Sequence, residues 1–192
     1  MTVFNDIVIA SWVVFIFYWV ISASNVRRDI GPGERWKGRL YSVARIAIVA
    51  LLAYLYPGGV RRIFCTLITA SRGLPMNVAG VSLSVSGVAF AIWARRHLGT
   101  NWSLNPSLKE DHQLVTSGPY RFLRHPIYTG MLTGLLGSLL ATFSPVWFYL
   151  LIVMIVTFIY RVHVEDNMMM QTFPEAYAAY KKKTKALIPF VW

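Results

Sequence analysis

Apolar residues run along this chain in long unbroken stretches, without the three-to-four spacing of a half-buried helix or the alternation of a strand. A helix that hides one face keeps polar residues opposite its apolar stripe, whereas one that is apolar all round is buried or sits in lipid. Crossing the hydrocarbon layer takes about 20 apolar residues. Three runs approach that length: Ile7 to Ser24, closed by Arg27 and Arg28; Leu40 to Tyr56, closed by Pro57-Gly58-Gly59; and Asn77 to Ala94, closed by Arg95 and Arg96. A further stretch, Tyr128 to Tyr160, holds 33 residues. At about 1.5 Å per residue that is too long for one span and slightly short for two. Its break at Ala141 to Pro145 predicts a tight helical hairpin that need not fully cross. The expected fold is all-α, a polytopic membrane protein of about five transmembrane helices, read as one unit over residues 1–192 without repeats or a separate soluble domain.

Composition supports the bilayer. Hydrophobic residues make up 56% and charged residues 14% of the 192, against roughly 45–50% and 25% in an ordinary soluble domain. A soluble chain of this size buries only about 70% of its surface, which leaves too much apolar area for water. A net charge of +11 would suggest nucleic acid in a soluble protein. Here the basic residues flank the apolar runs, so orientation and anionic headgroups account for them, and no nucleic-acid partner is expected. Fifteen Lys and Arg fall in the segments after the first run, after the third run and in the carboxy-terminal tail; Arg61, Arg62 and Arg72 lie on the other side. By the positive-inside rule the amino terminus is outside, and segments 95–127 and 161–192 share the cytoplasmic face. That membrane is the plasma or inner membrane in a prokaryote and the endoplasmic reticulum in a eukaryote. The first run lacks the basic flank of a cleavable signal peptide. Cys65 is alone, and His97, His112, His125 and His163 form no HExxH pattern, so neither a disulfide nor a metal site is expected.

Two polar clusters could carry chemistry on the cytoplasmic side. In the first, Gly118-Pro119 reads as a turn and Arg124-His125-Pro126 as the start of a helix. Free N–H groups at that start attract an anion, and Tyr120 and Tyr128 offer aromatic faces to a purine or a sulfonium. The same residues also read as an interfacial loop with an aromatic belt. In the second, Arg161 and Glu165 form an i, i+4 pair if the helix continues, with Asp166 adjacent. As a surface ion pair they contribute about half a kcal/mol; as a site, the guanidinium fork of Arg161 grips a carboxylate at two points. Met168 to Met170 read as packing or as the wall of an apolar channel.

The order LGxNWS, HxLVTSGPYRxxRHPxYxG, RxxxED and FxxxYxxYxxxxxxLIP over residues 93–192 resembles the isoprenylcysteine carboxyl methyltransferase family. That family sits within a wider group of small membrane methyltransferases that includes phospholipid N-methyltransferases. Residues 1–92 carry no signature and match only by number of helices. The resemblance implies S-adenosylmethionine as cofactor, held in a cytoplasmic-side pocket by His112, Gln113, Leu114, Val115, Tyr120, His125, Pro126, Ile127 and Tyr128. Asn105 stands where the family carries a Gln. Arg161 and Glu165 take the catalytic, substrate-side positions. Two departures stand out: Glu165-Asp166 replaces Glu-Glu, and Phe173-Pro174 replaces Phe-Gly, which alters the start of the tail helix.

The implied reaction transfers a methyl group to the carboxylate of a prenylated-cysteine-like or other lipophilic acid. A carboxylate is already ionised at neutral pH and needs no general base. The main requirements are alignment and exclusion of water. The implied partners are a lipophilic or lipidated substrate and the membrane lipids; the oligomeric state is left open. Two other readings stand beside it: a phospholipid or small-amine N-methyltransferase on the same scaffold, and a non-catalytic membrane protein or membrane reductase of related architecture.

Overall fold

The computed structural model describes residues 3–23, 73–102 and 113–188. The run Leu40 to Tyr56 lies outside them, as do Asn105 and His112. Five α-helices follow in order: α1 (Val3–Ala23), α2 (Leu74–Leu98), α3 (Pro126–Thr142), α4 (Pro145–Thr172) and α5 (Pro174–Lys183). Short 3-10 turns occupy Gly99–Asn101 and Gly118–Arg121. Each of α2 to α5 carries a proline in its first turn, where the preset φ suits the helix and the missing N–H would have been unpaired anyway. Leu123 and Lys185 form an isolated parallel bridge, and no strand occurs among the described residues.

Helices over Val3–Ser22, Leu74–Asn101 and Pro145–Thr172 are long and apolar enough to cross a membrane. The protein is an all-α integral membrane protein, with side chains such as Val13, Phe17 and Val20 exposed on the outer surface of α1. The expected hairpin is present, and its first arm is short. With 17 residues, α3 falls below the length of a full span. Phe143 closes it in the left-handed region at φ 51°, its N–H bonded to Leu139 O at 2.8 Å.

The boundaries differ from the hydrophobic runs in an instructive way. Where the run ended at Ala94, α2 continues to Leu98, because Arg95, Arg96 and His97 suit the negative end of a helix dipole. In α4 the helix passes unbroken beyond Tyr160 to Thr172, so Arg161, Glu165 and Asp166 leave the bilayer on a rigid rod.

Lipid is as apolar as leucine, so helices in a bilayer gain little from burying large side chains against each other and associate by close backbone approach. Here α2 and α3 do so through Gly80, Ser84, Gly87 and Ala91 on one side and Gly130, Gly134, Gly137 and Ala141 on the other. A Cβ built on Gly137 would lie 2.2 Å from Ser84 N, and one on Gly87 would lie 2.4 Å from Gly134 N. The seam carries its own polar link: Trp12 Nε1 donates to Ser138 Oγ at 2.9 Å, and Ser84 and Ser138 hydroxyls stand 3.0 Å apart. Buried Arg95 ties α1 to α2 by donating to Ser22 O at 2.7 Å while lying over the Trp102 ring at 4.4 Å.

This seam predicts a large effect from one methyl group. Gly137→Ala should destabilise the protein by about 1–3 kcal/mol, the usual range for overpacking, read as a lower Tm in detergent. An unchanged Tm would show that α2 and α3 are not in backbone contact.

Candidate active site

Where α2 and α4 emerge toward the same end, they and residues 113–128 line an open cleft, with Tyr177 and Tyr180 of α5 on its far side. Local constraints bring these segments in. Gly118 has φ +57°, and a Cβ there would lie 2.6 Å from the His97 ring, so only glycine lets the turn pass over α2. Next to it His97 Nε2 and Ser117 Oγ are 2.8 Å apart. Tyr120 is thereby delivered to a buried cluster with Ala94, Trp102 and Ile127. The tail runs back along residues 124–129: Arg124 N donates to Lys185 O at 2.8 Å and His125 N to Ala186 O at 3.0 Å, and Thr129 Oγ1 donates to Leu187 O at 2.6 Å. Pro174 takes the first turn of α5 without disturbance, since Tyr177 N donates to Phe173 O at 2.8 Å.

The charged core of the region is built around two neighbouring acids of α4. Asp166 is buried and receives four side chains: Arg124 at 3.2 Å, His125 Nε2 at 3.1 Å, Lys181 Nζ at 3.1 Å and the Tyr177 hydroxyl. Glu165 accepts from the Tyr128 hydroxyl at 2.5 Å, faces His125 Nδ1 at 3.3 Å and lies 3.6 Å from Arg161 Nε. Both ring nitrogens of His125 therefore meet a carboxylate. Burial works against its charged form, but the hydrogen bonds to Asp166 and Glu165 and their charges outweigh that, and its pKa is raised. Burial, together with the Asp166 carboxylate, likewise pushes the Tyr177 phenol up. His125 thus clamps the two acids together, and their carboxylates favour its charged form. Its ring lies parallel to Tyr128 at 5.5 Å, and Tyr128 stacks in turn on Phe158 at 4.2 Å.

Of the residues singled out by sequence, Gln113, Leu114, Val115, Tyr120, His125, Ile127, Tyr128 and Glu165 line this one cleft. Pro126 is buried beneath it at the start of α3. Arg161 does not line the cleft; it stands behind Glu165, its guanidinium 5.9 Å from the Tyr128 ring centroid. Asn105 and His112 fall outside the described residues. Sequence reasoning missed Leu98, Asn101, Trp102, Arg124, Tyr177 and Tyr180 in the wall. The signal was available in the FxxxYxxY element, which sets Tyr177 and Tyr180 one turn apart, and in LGxNWS. Met168 and Met169 also line the cleft, which favours the channel reading of the methionines over mere packing. Among the described residues no group of His, Cys, Asp and Glu is arranged to hold a metal ion.

A membrane-embedded helical bundle with an aromatic cleft at one end, a half-buried acid in its wall and a buried acid behind it is the class that this geometry defines. By the match of residues 76–176 to the phospholipid methyltransferase model, the chain belongs to that family. It is 28% identical over 120 residues to protein-S-isoprenylcysteine O-methyltransferase B of Arabidopsis thaliana, covering 62% of this chain and 58% of that one. It is 32% identical over 117 residues to the cobalt-zinc-cadmium resistance protein CzcN of Cupriavidus metallidurans, covering 60% of this chain and 49% of that one. The chain thus spans about half the length of these curated relatives. Its fold is similar to that of the eukaryotic intramembrane Ras methyltransferase ICMT, with a TM-score of 0.55 at 20% identity over 84% of this chain and 55% of that one.

The His125 clamp has a pH signature. Because its folded pKa is raised above the ordinary 6.5, its contribution is fully present below that value and is lost as pH rises through the higher folded value. Thermal stability should therefore fall as pH is raised above the ordinary imidazole value of 6.5, and His125→Gln should flatten that fall. An equal slope in both proteins would remove His125 as its source.

Proposed function

We propose that the protein is an S-adenosylmethionine-dependent methyltransferase that esterifies the carboxylate of a prenylated-cysteine-like or other lipophilic acid. The observation that carries this reading is the convergence of Gln113 to Val115, Tyr120, His125, Ile127, Tyr128 and Glu165 on one cleft, with Arg161 standing behind Glu165 at 3.6 Å. The residues present suit such a cofactor. The walls are mainly apolar and aromatic, with few polar groups, as in small-molecule sites generally. Trp102, Tyr120 and Tyr128 present rings suited to a purine or a cationic sulfur.

Bound S-adenosylmethionine would supply an electrophilic methyl group on a sulfonium. The chain's own contribution is alignment and dryness. His125, with both ring nitrogens engaged by Glu165 and Asp166, fixes the wall and has no free nitrogen to act as a base toward the acceptor. Tyr177 and Tyr180 of α5 roof the cleft and exclude water. Arg161, held one turn from Glu165, orients the acceptor carboxylate from the membrane side. The lipid tail enters between helices, with the amino terminus outside and the cleft at the cytoplasmic face. A reporter fused after Trp192 should be active only in the cytoplasm; activity only outside would reverse this orientation.

A second reading has its own support. Glu165 lines the cleft whereas Arg161 does not, and an acid in the wall suits an amine acceptor such as a phospholipid headgroup. The two readings part at Arg161. Lysine keeps the charge and loses the planar fork, so with a carboxylate acceptor Arg161→Lys should lower turnover about 100-fold through misalignment. Affinity for S-adenosylmethionine, measured by calorimetry, should change little. Purified protein with radiolabelled S-adenosylmethionine and fractionated lipids should give a base-labile product. Base-stable label with near-normal Arg161→Lys turnover would move the amine reading to first place. Absence of cofactor binding would remove both.

A further inference from the structure

A second groove, with about 900 Å³ of empty space, lies beside the cleft and shares Arg124 with it. Five cations line it (Arg124, Lys181, Lys182, Lys183 and Lys185) together with His163 and one acid, Asp166. That acid does not cancel the field. Asp166 is already surrounded by Arg124, His125, Lys181 and the Tyr177 hydroxyl, so the exposed Lys182, Lys183 and Lys185 give the groove a net positive potential.

We propose that this groove seats the phosphate of an anionic membrane lipid. Depth is the first argument. His163 and Asn167, one turn apart on α4, form one side of the groove. They follow directly on the apolar run that ends at Tyr160, at the level where a spanning helix meets the headgroups. Rigidity is the second. The opposite side is the basic end of α5 and residues 184–186, whose backbone is pinned to Arg124 and His125, so the lysines are presented by a fixed frame. Chemistry is the third. Clustered ammonium groups hold a phosphate as point charges, and juxtamembrane lysine clusters attract anionic lipid. The proposal is independent of methyl transfer and stands whichever acceptor the cleft takes.

The test uses the full chain in nanodiscs of phosphatidylcholine containing one-fifth phosphatidylglycerol, with retained phosphatidylglycerol counted by native mass spectrometry. Lys182→Ala with Lys185→Ala removes two groove charges. Arg96→Ala with Arg121→Ala removes two exposed charges elsewhere and serves as the control. At the usual attraction per lysine near an anionic surface, retention should fall about 30-fold in the groove pair. It should stay near the parent level in the control and return when the two lysines are replaced by arginine. Equal losses in both pairs would mean diffuse attraction and overturn the site, as would no loss in either. Displacement of the lipid by free glycerol phosphate at comparable concentration would identify a soluble anion as the occupant and overturn the lipid assignment.

Discussion

Everything at the cleft end of the bundle hangs on the buried carboxylate of Asp166. Four side chains from two other parts of the chain converge on it: Arg124 and His125 from the entry to α3, and Tyr177 and Lys181 from α5. An isolated buried carboxylate is very costly, and pairing repays that cost only when the geometry is good and the remaining lone pairs are satisfied. Here both oxygens are used, so the acid is tolerable only when α3, α4 and α5 are all docked. Removing any one of these elements leaves unpaired charge behind. The cluster therefore specifies the arrangement more than it stabilises it, and the cleft exists because its walls are held by this shared requirement.

The bilayer sets the complementary constraint. The helices cannot rely on hydrophobic burial to choose partners, so α2 and α3 meet through glycines whose missing Cβ atoms let the backbones touch. Close contact fixes the relative rotation of the two helices. His125 and Tyr128 stand at the start of α3, and Leu98 and Trp102 at the end of α2, so a seam between the two helices determines which rings face each other across the cleft.

The sequence announced the membrane helices because they are defined by a length of apolar residues, a property local to each run. It also announced the hairpin, since Ala141 to Pro145 interrupts a stretch too long for one span. What stayed hidden is relational. Gly80, Ser84, Gly87 and Ala91 keep a helical spacing that was open to reading, yet the spacing alone does not say that Gly130, Gly134 and Gly137 sit opposite. The motif residues from Gln113 to Tyr128 were legible through family resemblance, and the structure gathers the described ones at one cleft. The role of Asp166 was not legible, since a lone acid beside Glu165 reads as surface charge until Arg124 and Lys181, distant in sequence, close upon it. The same holds for Tyr177 and Tyr180, whose phenols look interfacial until α5 folds back.

Two consecutive acids thus come to serve different surfaces. Successive residues on an α-helix point about 100° apart, so a helix that continues rigidly past the membrane boundary cannot aim both at one site. Glu165 faces the aromatic cleft, where Tyr128 and Arg161 meet it; Asp166 faces the basic groove and the tail. His125 reaches both acids, and Arg124 lines both spaces. The substitution of Asp for the second Glu of the motif falls on the side of this division where Tyr177 and Lys181 tie α5 to α4. The acid that faces the cleft is unchanged. The departure from the family pattern therefore falls on the acid that ties down the roof, and the acid that faces the cleft is the one that matches.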